Sequence, residues 1–165
     1  MKNVFLGIGT NLGERKNNLD AAIKRIEENI GQVLKYSSIY ETEPWGFEAE
    51  NQFLNMVIMV KTDLSPSFLL EQILNIESTL GRVRSTERYS SRIIDIDILL
   101  YENIIIDDQN LKIPHPLLQE RRFVLVPLCE IAPDLIHPVL NKTIAELLQL
   151  GEDRNEVRKY GSYLI

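Results

Sequence analysis

The chain has 165 residues, 44% hydrophobic and 25% charged, enough to bury a core as one domain over 1–165 without disulfides. Its 24 acidic against 18 basic residues leave a formal net charge of −6, which argues against a general grip on nucleic acid or on an anionic membrane. Cys129 is the only cysteine, which excludes an intrachain disulfide framework and a thiolate cluster, and no run approaches the 18 apolar residues of a membrane span.

The opening stretch MKNVFLGIGTNLGERKNN has no small-residue cleavage site after a long apolar segment, so a cytoplasmic protein is expected. Val4, Leu6 and Ile8 alternate and Phe5 adds an apolar residue opposite, which predicts an interior strand. Gly9 to Gly13 are expected to form a tight turn. A helix follows, with Leu19, Ile23, Ile26 and Ile30 on one stripe and Gly31 ending it. A second strand is predicted through VLKYSSIYET, with Tyr36, Ser38, Tyr40 and Thr42 sharing a face, and Pro44 and Gly46 then interrupt regular structure.

In FLNMVIMVKT, Leu54, Met56, Ile58 and Val60 give a wholly apolar strand face, while Phe53 and Asn55 begin the other. Ser65 as N-cap and Pro66 at the first position open a second helix, with Leu69, Ile73, Ile76 and Leu80 buried and Gly81 past its end. After an arginine-rich loop comes the strand SRIIDIDILL, then a short strand expected at NIII. Beyond IPHP lies an apolar segment, in which Cys129 reads as a small buried residue, and a last helix with Thr143 and Glu146 at capping-box spacing. Two β-α-β units in succession suggest a mostly antiparallel, ferredoxin-like sheet with both crossover helices on one face.

Asp95 and Asp97, two apart on a strand, face the same way about 6.6–6.8 Å apart, while Ile94, Ile96 and Ile98 line the other face. Strand geometry leaves two readings open: a solvated face, or paired hard-oxygen ligands for Mg²⁺ carried by a phosphate chain. Arg82, Arg84, Arg88 and Arg92 precede the pair and Arg121 and Arg122 follow; guanidinium forks match phosphate oxygens, which brings a phosphoryl-transfer site level with a solubilising loop. GIGTNLG lacks the G-x-x-x-x-G-K-S/T pattern, and its third glycine falls one residue late for a dinucleotide fingerprint. Phe53, Asn55, Thr42, Trp45 and Phe123 suit a flat heterocycle stacked on rings with an amide at its edge, although each aromatic alone also reads as core. His115, between prolines and near arginines, reads equally as a phosphate donor or a structural histidine; His137 reads as structural.

The segments FLGIGTNLGERKNNLDAAI, YETEPWG, FLNMV, RVRSTERYSSRIIDIDILLY and IPHPLLQERRFVLVPLCEIAPDLIHP together resemble the 6-hydroxymethyl-7,8-dihydropterin pyrophosphokinase family of folate biosynthesis. The resemblance covers most of the chain. It implies an α+β, ferredoxin-like βαββαβ core with added strands and C-terminal helices in three α-β-α layers. It also implies transfer of the β,γ-pyrophosphoryl group of ATP to a reduced pterin, with ATP and the pterin as small-molecule partners, neither nucleic acid nor membrane, and a monomer or weak homodimer.

Carried over by position, Asp95 and Asp97 would hold two Mg²⁺ ions and, with Arg82 and Arg92, carry catalysis. Arg92, His115 and Arg121 resemble phosphate contacts, and Arg84, Tyr89, Glu77 and Ile98 match positions at the nucleotide. Phe53 and Phe123 would sandwich the pterin, Asn55 would read its edge, and Thr42, Pro44 and Trp45 would complete its pocket. The family's tryptophan-glycine-proline before the second catalytic arginine is Tyr89, Ser90 and Ser91 here, Ile93 replaces a common threonine, and Asn110 stands where some members have arginine. These departures motivate a catalytically impaired pterin- and ATP-binding member as the alternative. Other readings are a different metal-dependent nucleotide transferase and an RNA- or ligand-binding module.

Overall fold

This computed structural model describes residues 1–46, 51–81 and 93–163. The strands are β1 (Lys2–Thr10), β2 (Gly31–Tyr36), β3 (Ile39–Thr42), β4 (Phe53–Thr62), β5 (Asp95–Tyr101), β6 (Ile106–Asp107), β7 (Lys112–Ile113) and β8 (Val157–Gly161), and the α-helices are α1 (Arg15–Asn29), α2 (Pro66–Thr79), α3 (Arg122–Ile131) and α4 (Ile144–Leu150). Six of the described strands form one sheet in the order β5-β1-β4-β3-β8, with β2 also on β4, and every pairing is antiparallel. This is the ferredoxin-like core, extended at one edge by β8.

Both crossover helices cover the same face, as the apolar spacings predict. Leu54, Met56, Ile58 and Val60 of β4 pack there with Leu19, Ile23 and Ile26 of α1 and Leu69, Ile73 and Ile76 of α2. The opposite face, through Phe5, Val57 and Leu99, packs on Val124, Leu125 and Leu128 of α3 and on Ile144 and Leu147 of α4. Three α-β-α layers result. The caps hold as read: Ser65 Oγ accepts the Phe68 N–H at 3.3 Å, Gly81 has φ +90°, and Thr143 Oγ1 accepts the Glu146 N–H at 3.1 Å.

Some sequence expectations are corrected. Gly9 and Thr10 belong to β1, and the turn lies beyond them, where Gly13 has φ +67°. VLKYSSIYET is two strands laid end to end along β4. Tyr36 pairs with Ile58 but Tyr40 pairs with Asn55, four steps on one chain against three on the other. The extra residue forms a bulge and reverses the alternation, so Tyr36 and Tyr40 lie on opposite faces. Glu130 of α3 secures the bulge by accepting the Ser38 N–H and the Tyr40 hydroxyl. The strand expected at NIII is confined to Ile106–Asp107, paired with Lys112–Ile113. Cys129 is half-buried on α3, and burial pushes its thiol up, with Asp134 adding to the shift.

His137 is buried and structural in its contacts. Its Nδ1 accepts the N–H groups of Val139 and Leu140 at 3.2 and 3.1 Å, and burial lowers its pKa. Below the unfolded value of about 6.5 the unfolded chain takes up a proton that the folded one refuses, so stability falls with falling pH until the folded pKa is reached. Urea unfolding midpoints are therefore expected to drop between pH 7.5 and 5.0. His137→Asn, whose amide oxygen can keep both acceptor bonds, should lessen that drop; an identical drop in the variant would refute the assignment.

Candidate active site

On the α3 side, the upper end of the sheet is left uncovered and forms a cleft of about 300 Å³ lined by Gly7, Gly9, Thr42, Trp45, Phe53, Asn55, Asp95, Asp97, His115, Arg121 and Phe123. Its floor is built by register. Gly9 lies between Asp95 on β5 and Asn55 on β4, and Gly7 lies between Asp97 and Val57. Neighbouring strands are about 4.8 Å apart, so the carboxylates and the Asn55 amide stand about 10 Å apart with only glycine backbone between them.

The placement of Asp95 and Asp97 follows from what the other face of β5 buries. Ile94, Ile96 and Ile98 are all buried, and each is worth about 1.5–3 kcal/mol relative to exposure. Two carboxylates about 6.7 Å apart repel by about 0.6 kcal/mol in water and about 2.5 kcal/mol at an effective dielectric of 20. Apolar burial wins, and the charged pair is held facing the cleft. The start of β5 is fixed from the N-terminal turn: Thr10 Oγ1 donates to the Ile93 carbonyl, and Asn18 Nδ2 donates to Thr10 Oγ1 at 3.1 Å and to Leu12 O at 2.8 Å.

Across the glycines, Asn55 and Thr42 are buried, at 7% and 4% exposure, and Asn55 Nδ2 donates to Thr42 Oγ1 at 2.7 Å. That bond turns Asn55 Oδ1 toward Gly9, leaving an acceptor at the floor. Phe53 stands at the head of β4, and Phe123 and Arg121 come from the start of α3. The Arg121 guanidinium lies 4.9 Å from the Trp45 ring centre and 5.6 Å from that of Phe123, within cation–π range of both.

His115 follows the cis Ile113–Pro114 bond, and its backbone N–H donates to Leu99 O at 2.9 Å. Its Nδ1 accepts the Leu117 N–H at 3.1 Å, so the proton of the neutral ring sits on Nε2. Burial, then the charge of Arg121, pushes its pKa down to about 4 against the opposing pull of Asp95. Near neutral pH this residue is an uncharged donor.

The cleft gathers Asp95, Asp97, His115, Arg121, Thr42, Trp45, Phe53, Asn55 and Phe123, and Pro44 lies beside it in the same segment. Glu77 and Ile98 do not line it. Glu77 is buried at the edge of the sheet, where Oε2 accepts the Ile96 N–H at 3.0 Å, and the Ile98 side chain packs into the core beneath. Arg82, Arg84, Arg88, Tyr89, Ser90, Ser91 and Arg92 lie outside the described residues. Sequence reading missed Gly7 and Gly9 as floor residues and Thr10 with Asn18 as anchors. The available signal was that Gly7 and Gly9 alternate with Leu6 and Ile8, which marks a bare strand face.

Among the described residues no three His, Cys, Asp or Glu side chains converge as a metal cage. A pair of carboxylates is nonetheless the donor set Mg²⁺ takes when substrate phosphates and water complete its shell. The residues present fit that ion.

Fold and cleft together define an α+β protein of the ferredoxin-like class, with aromatic rings and a buried amide gathered beside paired carboxylates. The chain belongs to the 7,8-dihydro-6-hydroxymethylpterin-pyrophosphokinase (HPPK) family, whose model matches residues 5–133. A 2-amino-4-hydroxy-6-hydroxymethyldihydropteridine pyrophosphokinase of Aquifex aeolicus is 42% identical over 146 residues, covering 88% of this chain and 90% of the relative. One from Bacillus subtilis is 44% identical over 133 residues, 79% of each chain. A solved HPPK-DHPS in complex with substrates has a TM-score of 0.74 at 16% identity, covering 90% of this chain and 43% of its own length. Wild-type HPPK-DHPS of Plasmodium falciparum gives 0.70 at 21%, again with 90% and 43% covered. At those identities the likeness is one of fold, and this chain spans less than half of either solved protein.

Proposed function

We propose that this chain transfers the β,γ-pyrophosphoryl group of ATP to the hydroxymethyl group of 6-hydroxymethyl-7,8-dihydropterin, releasing AMP and the pterin diphosphate in folate biosynthesis. The observation that carries the reading is the pairing, across bare glycines, of Asp95 and Asp97 with the Asn55–Thr42 amide and the aromatic wall. Family membership with relatives above 40% identity supports the same reaction.

The pterin lies between Phe53 and Phe123, Asn55 Oδ1 accepts from its edge, and Thr42, Pro44 and Trp45 close that side. Its hydroxymethyl points over Gly9 toward the aspartates. The hydroxymethyl oxygen bonds to the β-phosphorus as the bond from that phosphorus to the α–β bridging oxygen breaks; AMP carries away that electron pair, and the hydroxyl proton is released to water. Asp95 and Asp97 would hold Mg²⁺, two ions in this reading, and the bound metal would offset phosphate charge and orient the phosphates. Arg121 and the Nε2–H of His115 donate to phosphate oxygens, and neutral His115 does so without losing a proton near pH 7. Arg82 and Arg92 carry further phosphate charge, with Arg84 and Tyr89 at the nucleotide. Glu77 secures the β5 edge beside the base, and Ile98 contributes through its backbone on that edge.

One assay decides the reaction: ATP, Mg²⁺ and the reduced pterin alcohol should yield AMP and pterin diphosphate in equal amounts. ADP as product would indicate a different transferase, and no AMP would indicate a binding protein without turnover.

A further inference from the structure

Arg158 lies beyond the residues matched by the family model, on the C-terminal strand β8, yet its guanidinium reaches the segment that frames the aromatic wall. Register pairs it with Glu41, next to Thr42 on β3. Its Nη2 donates to Gln52 Oε1 at 2.8 Å and lies 3.6 Å from Glu41 Oε1. Gln52 immediately precedes Phe53, and its Nε2 donates in turn to Glu43 Oε1 at 2.6 Å. Thr42 and Phe53 are the last backbone pair between β3 and β4. Gln52 and Glu43 thus form one further rung made of side chains, and Arg158 holds its free end.

The same rung is held from the other side. Arg15, at the start of α1, donates to the Gln52 carbonyl at 2.9 Å and pairs with Glu41 Oε2 at 2.9 Å, and Asn11 Nδ2 donates to the Asn51 carbonyl at 3.4 Å. Arg15, Arg158, Glu41 and Glu43 sum to zero charge, and Glu156 adds a further carboxylate 3.9 Å from Arg158 Nε. Single ion pairs with this exposure add little to global stability. Their consequence is positional, because a Gln52 amide bonded at both ends orients the chain entering Phe53 and the chain leaving Thr42 toward Trp45.

We infer that Arg158, acting through Gln52, is a positioning residue for the aromatic and amide wall that takes the pterin, and that β8 thereby contributes to substrate recognition. The inference rests on the proposed function for the identity of the ligand.

Arg158→Ala should raise the pterin KM about 5- to 10-fold, the net scale of one ordinary hydrogen bond. The kcat and the ATP KM should stay within about two-fold, and Arg158→Lys should recover part of the loss. Gln52→Ala, which leaves β8 intact, should repeat the effect. Arg154→Ala is the control, because it removes the same charge from a side chain whose hydrogen bonds among the described residues go to the nearby carbonyls of Gly151 and Asp153. Trp45 is the chain's only tryptophan, so its emission reports this wall directly. It should change without substrate in Arg158→Ala and not in Arg154→Ala.

A pterin KM within two-fold of wild type, or an ATP KM rising in step with it, would overturn the inference. If wild-type protein forms no AMP, the functional reading fails separately. The positioning role then stands or falls on whether Trp45 emission separates the two arginine variants.

Discussion

Asp97→Ala is expected to lower kcat for AMP formation by about 10³-fold or more, the scale of several kcal/mol of charge stabilisation lost at a phosphoryl centre. The pterin KM should change little, since Asn55 and Phe53 lie on β4, with β1 between them and the aspartate. Folding should be unharmed. Ile94, Ile96 and Ile98 stay buried, and removing one carboxylate relieves repulsion from Asp95. Asp97→Asn keeps the shape, lacks the charge and should behave similarly. Steady-state kinetics with a thermal unfolding scan separates the outcomes, and a kcat within tenfold of wild type with a normal unfolding temperature would remove Asp97 from the proposed ion site.

Gly9→Ala is expected to weaken pterin binding about 10- to 100-fold while leaving the ATP KM near its wild-type value. A Cβ at Gly9 would meet Asn55 Oδ1 at 2.8 Å, too close for either atom to stay in place. Asn55 cannot swing away freely, because its amide is bonded to Thr42. Either the Asn55–Thr42 pair shifts or the sheet opens, at a cost of about 1–3 kcal/mol, and the acceptor proposed for the ring edge moves with it. At Gly7 the atoms nearest the added carbon belong to the flexible Leu99 side chain, the closest at 3.5 Å. Gly7→Ala should therefore disturb pterin binding less, and the comparison, read by titration of Trp45 fluorescence, isolates the Asn55 clash from general crowding. Equal pterin affinity in the Gly9→Ala and wild-type proteins would show that the ring does not depend on that amide.

Much of this arrangement is legible in the sequence, because burial imposes a short period. The alternating Leu54, Met56, Ile58 and Val60, and the aspartates offset against Ile94, Ile96 and Ile98, place their faces correctly. The helix stripes and the Ser65 and Thr143 caps also follow from spacing and local hydrogen bonding. The segment around Tyr36–Tyr40 misleads the same reasoning. An alternating pattern cannot reveal that one extra residue is absorbed at Ser37–Ser38, since the partner that sets the count, β4, is remote in sequence. The β8 strand escapes notice because Val157–Gly161 is short and mostly exposed.

What the amino-acid order determined alone is which strand and helix faces are apolar, where α2 and α4 begin, and that two carboxylates share a strand face. Recognition of the long motifs added the family, and with it the proposed chemistry. Only the tertiary structure decided that Gly7 and Gly9 pave the space between the carboxylates and Asn55, that burial and the Arg121 charge keep the His115 ring neutral, and that Arg158 reaches Gln52. The physical reason is common to all three: each depends on register or burial across strands distant in sequence, and neither quantity is carried by local spacing.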